Sequence, residues 1–215
     1  LPPGSEVITT PFTFVATAEV VVLTGATPIF VDVDADTFNV SAETMKEGVA
    51  EARRQGLRPR AMIPVDLFGL PADYAALNAL ADAEDILVIA DAAQSFGGSR
   101  VGRPVGSLAA VSSTSFFPSK PLGCYGDGGA ILTDDDDLAE QLRSLRAHGG
   151  GKDKYDNVRV GVNSRLDTVQ AAVLNCKLTI LRDEIEARGQ VAMRYNSAMP
   201  EAVTTPRIFN DAVSA

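Results

Sequence analysis

The chain is 215 residues long, with 46% hydrophobic content and a formal charge of −9, enough apolar material for one sizeable core or one large lobe of a two-domain enzyme. The acidic balance, with no basic run, argues against a nucleic-acid surface, and no stretch reaches the ~20 apolar residues needed to span a bilayer. Cys124 and Cys176 have no paired spacing and fit a reducing compartment better than a disulfide framework; with no hydrophobic leader at the start, a cytoplasmic protein is the expectation.

A short strand at residues 6–9 leads into a helix over 13–23, whose small and β-branched residues suit packing on a sheet. In the connecting Pro11-Phe12-Thr13-Phe14, composition alone reads Phe14 as core. Residues 27–33 form the next strand, 36–39 a turn and 41–55 a helix. A strand at 60–65 ends in VDLFG, where Asp66 reads as a turn former, and a helix follows over 74–83. This alternation is the mark of a mainly parallel sheet with helices on both faces.

The run ILVIADAAQS (86–95) opens with an unbroken apolar stretch that fits a strand buried on both faces. Asp91 follows at its carboxyl end, where open α/β sheets bind ligands, although such an Asp can equally cap a helix. After a strand at 110–117, the loop SFFPSKPLGCYGDGG (115–129) carries Lys120 between Pro118 and Pro121, which stop ladder pairing and set the lysine where a sheet edge opens into a cavity. A lysine so placed is either a solvated loop residue or a nucleophile toward a carbonyl cofactor. Gly126, Gly128 and Gly129 let the backbone pass close to a ligand and start a strand at 130–133; they do not have dinucleotide-fingerprint spacing.

The acidic run at 134–137 suits a helix N-terminus better than a metal, and Leu138, Leu142 and Leu145 give a buried stripe. His148, beside three glycines, reads as a loop residue. A polar loop (149–162) leads to Asn163-Ser164-Arg165. Then Leu166, Val169, Val173, Cys176 and Ile180 step by three and four along a long helix, a stripe for helix packing or subunit contact.

In this order, TPFTFVAT, VDLFG, DAAQSFG, SFFPSK with GDGGA, LRAHG and GVNSRLDTVQAAVL resemble the sugar aminotransferases of the DegT/DnrJ/EryC1/StrS family, fold-type I enzymes that use pyridoxal 5'-phosphate (PLP); the resemblance covers residues 5–174. The wording SFFPSKPLGCYGDGGAI and RVGVNSRLDTVQAA is similar to bacterial enzymes that aminate a UDP-linked 3-keto-N-acetylglucosaminuronic acid. The resemblance implies a three-layer α/β large domain with a mainly parallel mixed sheet. It implies PLP as a Schiff base on Lys120, Asp91 paired to the pyridine nitrogen, Phe14 stacked on the ring, Gln94 donating to the phenolic oxygen and Ser115 to the phosphate.

By the same resemblance, Asn163 reaches the phosphate of a neighbouring subunit's cofactor, which implies a homodimer with a shared active site. Ser119 and Arg165 are candidate substrate contacts, Arg165 for an anionic group. Glutamate is the implied amino donor and a UDP-keto sugar the acceptor, in the making of cell-surface polysaccharide such as lipopolysaccharide. Residues 1–181 are then a PLP-binding large domain without its N-terminal part, and 182–215 the end of a long helix and the start of a linker to a small domain; the 215 residues alone are expected to be inactive. The competing readings are a 4-keto-6-deoxy sugar aminotransferase, a dehydratase (which would carry His where Lys120 stands), a non-catalytic PLP-binding regulator, and an α/β nucleotide binder in which Lys120 is only an anion contact.

Overall fold

The computed structural model describes residues 1–153 and 155–215. In chain order the elements are β1 (Glu6–Thr9), α1 (Ala16–Leu23), β2 (Thr27–Phe30), α2 (Ala42–Arg54), β3 (Pro59–Met62), α3 (Tyr74–Glu84), β4 (Leu87–Asp91), β5 (Ser99–Arg100), β6 (Arg103–Pro104), β7 (Val111–Ser115), β8 (Gly129–Leu132), α4 (Asp136–Leu145), α5 (Thr168–Leu178), α6 (Leu181–Ala198) and β9 (Ala212–Val213). The main sheet runs β2-β1-β3-β4-β7-β8, parallel at every junction except the antiparallel β7–β8 pair. A small antiparallel sheet, β6-β5-β9, stands beside it.

Period-two alternation explains the layers. Ile8, Met62, Val88 and Ala90 pack against Met45 and Val49 of α2 and Tyr74, Leu77 and Ala81 of α3. On the other face Val7, Ala61 and Ile63 pack against Val21 of α1. The result is the expected three-layer α/β arrangement. Helix α2 starts where Ser41 and Thr44 cap each other reciprocally, side chain to backbone in both directions. It lies close to the sheet because Gly48 faces Val31, where a methyl group would overlap the valine.

Several elements depart from the sequence reading for identifiable reasons. β3 stops at Met62, three residues before the expected end at Val65. Pro64 has no N–H to continue the ladder, and pairing resumes only as a single Val65–Asp91 bridge. The helix expected from residue 13 begins at Ala16. Strand β4 is not buried on both faces: Val88 and Ala90 are buried but Leu87 is 43% exposed, because α1 covers only part of its face of the sheet. Leu138 and Leu142 are only half-buried and Leu145 is exposed, since α4 stands off the β8 edge across a groove.

The long helix after residue 166 is two helices. The Thr179 hydroxyl donates to the Cys176 carbonyl at 2.7 Å, competing with the backbone ladder at the break between α5 and α6. Leu174 turns inward, while Val169, Cys176 and Ile180 of the expected stripe stay on the outside. Leu174, Leu181 and Ile185 pack with Phe116, Leu122 and Cys124, so these helices support the loop that carries Lys120. Among the described residues no helix is long and apolar enough to cross a membrane.

Candidate active site

A parallel sheet presents the carboxyl ends of β1, β3, β4 and β7 along one edge, and a cleft of about 1050 Å³ opens there. Six of the residues singled out from the sequence line it: Phe14, Asp91, Gln94, Ser115, Ser119 and Lys120. Asp91 ends β4 directly beside Ser113 of β7. The Thr17 hydroxyl donates to Asp91 Oδ2 at 2.7 Å, and the Ala93 N–H donates to Oδ1 at 3.2 Å. Each carboxylate oxygen is thereby aimed and keeps lone-pair capacity for a ligand. No helix begins after Asp91 for it to cap; the chain passes through turns instead.

Gln94 is fixed by its oxygen, which accepts the Phe68 N–H at 2.9 Å, leaving its Nε2 hydrogens as the donors for a ligand. The Ser115 oxygen accepts the Phe117 N–H at 3.2 Å, so its own hydrogen remains to be donated. Phe14 is 68% exposed, too open to be the core residue that composition suggested. Lys120 is half-buried in a turn closed by its N–H bond to the Phe117 carbonyl at 2.9 Å. The rest of this loop is stapled to α5. Tyr125 exchanges backbone bonds with the Gln170 side chain at 2.7 and 3.1 Å, and Lys177 donates to the Gly123 carbonyl at 2.6 Å.

Two glycines of the loop are also required by packing. A Cβ on Gly128 would lie 2.8 Å from Leu166 Cδ1, and one on Gly129 2.7 Å from the Thr114 carbonyl oxygen.

Asp66 is more than the turn former read from the sequence. It is 1% exposed, and its carboxylate accepts three bonds: from the Ala72 N–H (2.9 Å), the Tyr74 hydroxyl (2.8 Å) and the Ser95 hydroxyl (2.6 Å). Burial nevertheless dominates and raises its pKa from 3.8 to about 6. The same burial pushes the Tyr74 phenol well above its usual value and keeps it a donor.

The folded state therefore holds the Asp66 proton through a range where the unfolded chain releases it. This group makes the protein less stable as pH rises from about 4 through 6, by up to ~3 kcal/mol. Asp66→Asn should lack that pH dependence. Urea denaturation of intact protein should show the stability difference moving in the variant's favour between about pH 4 and pH 7, and a pH-independent difference would contradict the argument.

Residues 1–213 match the DegT/DnrJ/EryC1/StrS aminotransferase family. The chain belongs to that family. It is 50% identical over 207 residues to the UDP-2-acetamido-2-deoxy-3-oxo-D-glucuronate aminotransferase of Pseudomonas aeruginosa, covering 96% of this chain and 56% of that protein. It is 46% identical to a protein of Geobacillus stearothermophilus named pleiotropic regulatory protein, covering 94% of this chain and 52% of that one. Among solved structures, a DegT DnrJ EryC1 StrS aminotransferase from Brucella abortus superposes with a TM-score of 0.95 at 52% identity, over 99% of this chain and 57% of that one. The chain thus spans about half the length of the relatives it matches.

Two residues carried over from the DegT/DnrJ/EryC1/StrS motifs lie outside the cleft of their own chain. Asn163 is exposed and forms a single antiparallel bridge with Ala147, away from the Lys120 cleft. Arg165, also exposed, lines the separate groove between α4 and β8, so within one chain it does not face the Lys120 cleft. His148 adopts a left-handed backbone (φ 61°), and its N–H donates to the Val162 carbonyl at 3.0 Å, consistent with a loop role. In the acidic run, the side chain of Asp135 accepts the Leu138 N–H at 3.0 Å and caps α4.

Thr17 was not singled out from the sequence, although a signal existed. Thr13 and Thr17 lie four residues apart in an otherwise apolar segment, and their hydroxyls meet at 2.9 Å on the way to Asp91.

Proposed function

We propose that this chain carries the cofactor-binding part of a PLP-dependent aminotransferase that moves the amino group of glutamate onto a UDP-linked keto sugar, a 3-keto-N-acetylglucosaminuronate, in the synthesis of cell-surface polysaccharide such as lipopolysaccharide. The carrying observation is that the Lys120 amine and the Asp91 carboxylate, delivered by adjacent parallel strands, line one cleft. The donor set fits PLP: a fixed anion, an amine, an open aromatic face, an amide donor and a free hydroxyl hydrogen. When bound, PLP supplies a carbonyl that captures amines and a ring that spreads carbanion charge.

The chain's residues divide the remaining work. Asp91, held by Thr17 and Ala93, offers a fixed negative charge to the ring nitrogen. Phe14 offers a stacking face worth ~0.5–1.5 kcal/mol beyond burial. Gln94 donates without titrating near neutral pH, and Ser115 donates to a phosphate oxygen. Lys120 Nζ anchors the cofactor and, once free, takes a proton from the substrate carbon and returns it. Ser119 sits beside it as a substrate contact.

The 3-keto uronate as acceptor is supported by the named activity of the 50%-identical Pseudomonas protein. The exposed Asn163 and the outward Val169, Cys176 and Ile180 support a homodimer with a shared site, in which Arg165 is a candidate for the substrate's anionic groups. A cytoplasmic location follows from nucleotide-sugar substrates.

Glutamate added to the intact, PLP-loaded enzyme should convert its near-visible absorbance band to that of the aminated cofactor. The UDP-3-keto uronate should then yield a product whose mass matches replacement of the keto oxygen by an amine. A product from 4-keto-6-deoxy sugars only would redirect the substrate assignment. No response to glutamate would favour the non-catalytic reading, which the 46%-identical regulatory protein makes the second candidate.

A further inference from the structure

Behind the cleft lies a polar cluster that the roles above leave unused. Asp66 does not line the cleft. Its backbone N–H donates to the Asp91 carbonyl at 3.0 Å, its Oδ2 accepts the wholly buried Ser95 hydroxyl at 2.6 Å, and its Oδ1 accepts the Ala72 N–H, just before α3, and the Tyr74 hydroxyl at the start of that helix.

Ser95 closes the tight turn after Asp91: its N–H donates to the Ala92 carbonyl at 3.2 Å, and its carbonyl accepts the Gly98 N–H at 2.8 Å. Ala92 is in turn bonded to β7, donating to the Ser113 carbonyl at 2.8 Å and accepting from the Thr114 hydroxyl at 3.0 Å. The only two residues between these anchors are Ala93, whose N–H aims the Asp91 carboxylate, and Gln94, whose amide oxygen accepts from Phe68 in the Asp66 loop. Phe68 donates from a left-handed backbone (φ 56°), a conformation a phenylalanine adopts only when its surroundings impose it.

We propose that Asp66 is a positioning residue, which through Ser95 and the turn at 92–95 sets the distance between the Asp91 carboxylate and the Gln94 amide and so the fit of the ring these two would hold. This rests on the PLP reading, and the geometry gives the reason. One buried residue, Asp66, holds the strand end by its backbone N–H and the turn by its carboxylate, so a shift at Ser95 moves Asp91's second donor and Gln94 together. Misplacement of a binding group by about 1 Å, or loss of the partner that orients it, typically costs ~10–100-fold.

The test uses the intact enzyme and four variants, Ser95→Ala, Asp66→Asn, Asp66→Ala and Tyr74→Phe. Tyr74→Phe removes a donor to the same carboxylate but from α3, away from the turn. PLP affinity is read by titrating the Lys120-dependent absorbance band, and fold integrity by circular dichroism and thermal unfolding. Ser95→Ala should weaken PLP binding by about 10-fold and move the wavelength of the band. Asp66→Asn, which keeps an oxygen acceptor, should weaken it less than Asp66→Ala. Tyr74→Phe should lower Tm yet leave affinity and band within about twofold of wild type.

If Ser95→Ala binds PLP as the wild type does, or if the four variants lose affinity only in step with Tm, Asp66 has no positioning role. A wild-type enzyme with no Lys120-dependent band would remove the cofactor reading and this role with it, a result distinct from a wild-type band that Ser95→Ala leaves unchanged.

Discussion

Lys120→Ala and Lys120→Arg should both abolish amino transfer, lowering the glutamate half-reaction by ~10³-fold or more and removing the cofactor's lysine-dependent absorbance. The pair of variants separates two uses of the residue. Arginine keeps the positive charge and hydrogen-bonding capacity but cannot serve as the attaching amine or as a proton carrier near neutral pH. An anion contact for a nucleotide would survive that exchange, whereas the assigned role would not. The turn closed by Lys120 N–H and the Phe117 carbonyl does not depend on the side chain, and α5 holds the remainder of the loop through Gln170 and Lys177. Loss of function in either variant therefore reports on the amine and not on a collapsed loop. Retention of a tenth or more of wild-type activity by Lys120→Arg would refute the assignment.

Asp91→Asn should lower the same half-reaction by ~10²–10³-fold while weakening PLP binding far less, since the change deletes a fixed charge and keeps the shape. The Thr17 hydroxyl can rotate to accept from the new amide, and the Ala93 N–H still finds an oxygen. Thr17→Ala should produce a smaller loss, because one of two orienting bonds remains. Stopped-flow rates with glutamate across wild type, Asp91→Asn and Thr17→Ala give the ordering. An Asp91→Asn enzyme within threefold of wild type would mean that the carboxylate does not support the developing ring charge.

The sequence made the sheet legible because hydrophobic period and strand-end chemistry agree with the fold there. The apolar run 86–90 ends on Asp91, and the Pro-flanked lysine follows the next strand, so adjacency of the two in a parallel sheet brings them to one cleft. What stayed hidden was decided by partners distant in sequence. Asp66 and Asp91 carry the same signal, a carboxylate at a strand end, yet one meets Ser95, Tyr74 and the Ala72 N–H in the interior and the other meets the cleft. Nothing local distinguishes them.

The buried amide of Asn39 shows the same limit. It donates to the Leu70 carbonyl at 2.8 Å and accepts from the Leu67 N–H at 2.9 Å, joining two loops in which Phe38 and Phe68 hold left-handed backbones. Helix faces were legible only in part. Leu145 keeps the spacing of a buried stripe but is exposed, while Val169 and Ile180, spaced for helix packing or subunit contact, lie on a surface that the described residues do not cover.

The pairing of Ile89 with Val111, Ala90 with Ser112 and Asp91 with Ser113 makes the β4–β7 ladder a ruler for the chemistry. Because successive side chains point to opposite faces, a slip of one step would swing Ser113 and Ser115 away from Asp91 altogether, with no intermediate setting. The register of the acid against the strand that leads to the amine is thus digital. Surrounding loops can lengthen or exchange residues while that register stays locked, so a cleft of this build can be reshaped without shifting its carboxylate.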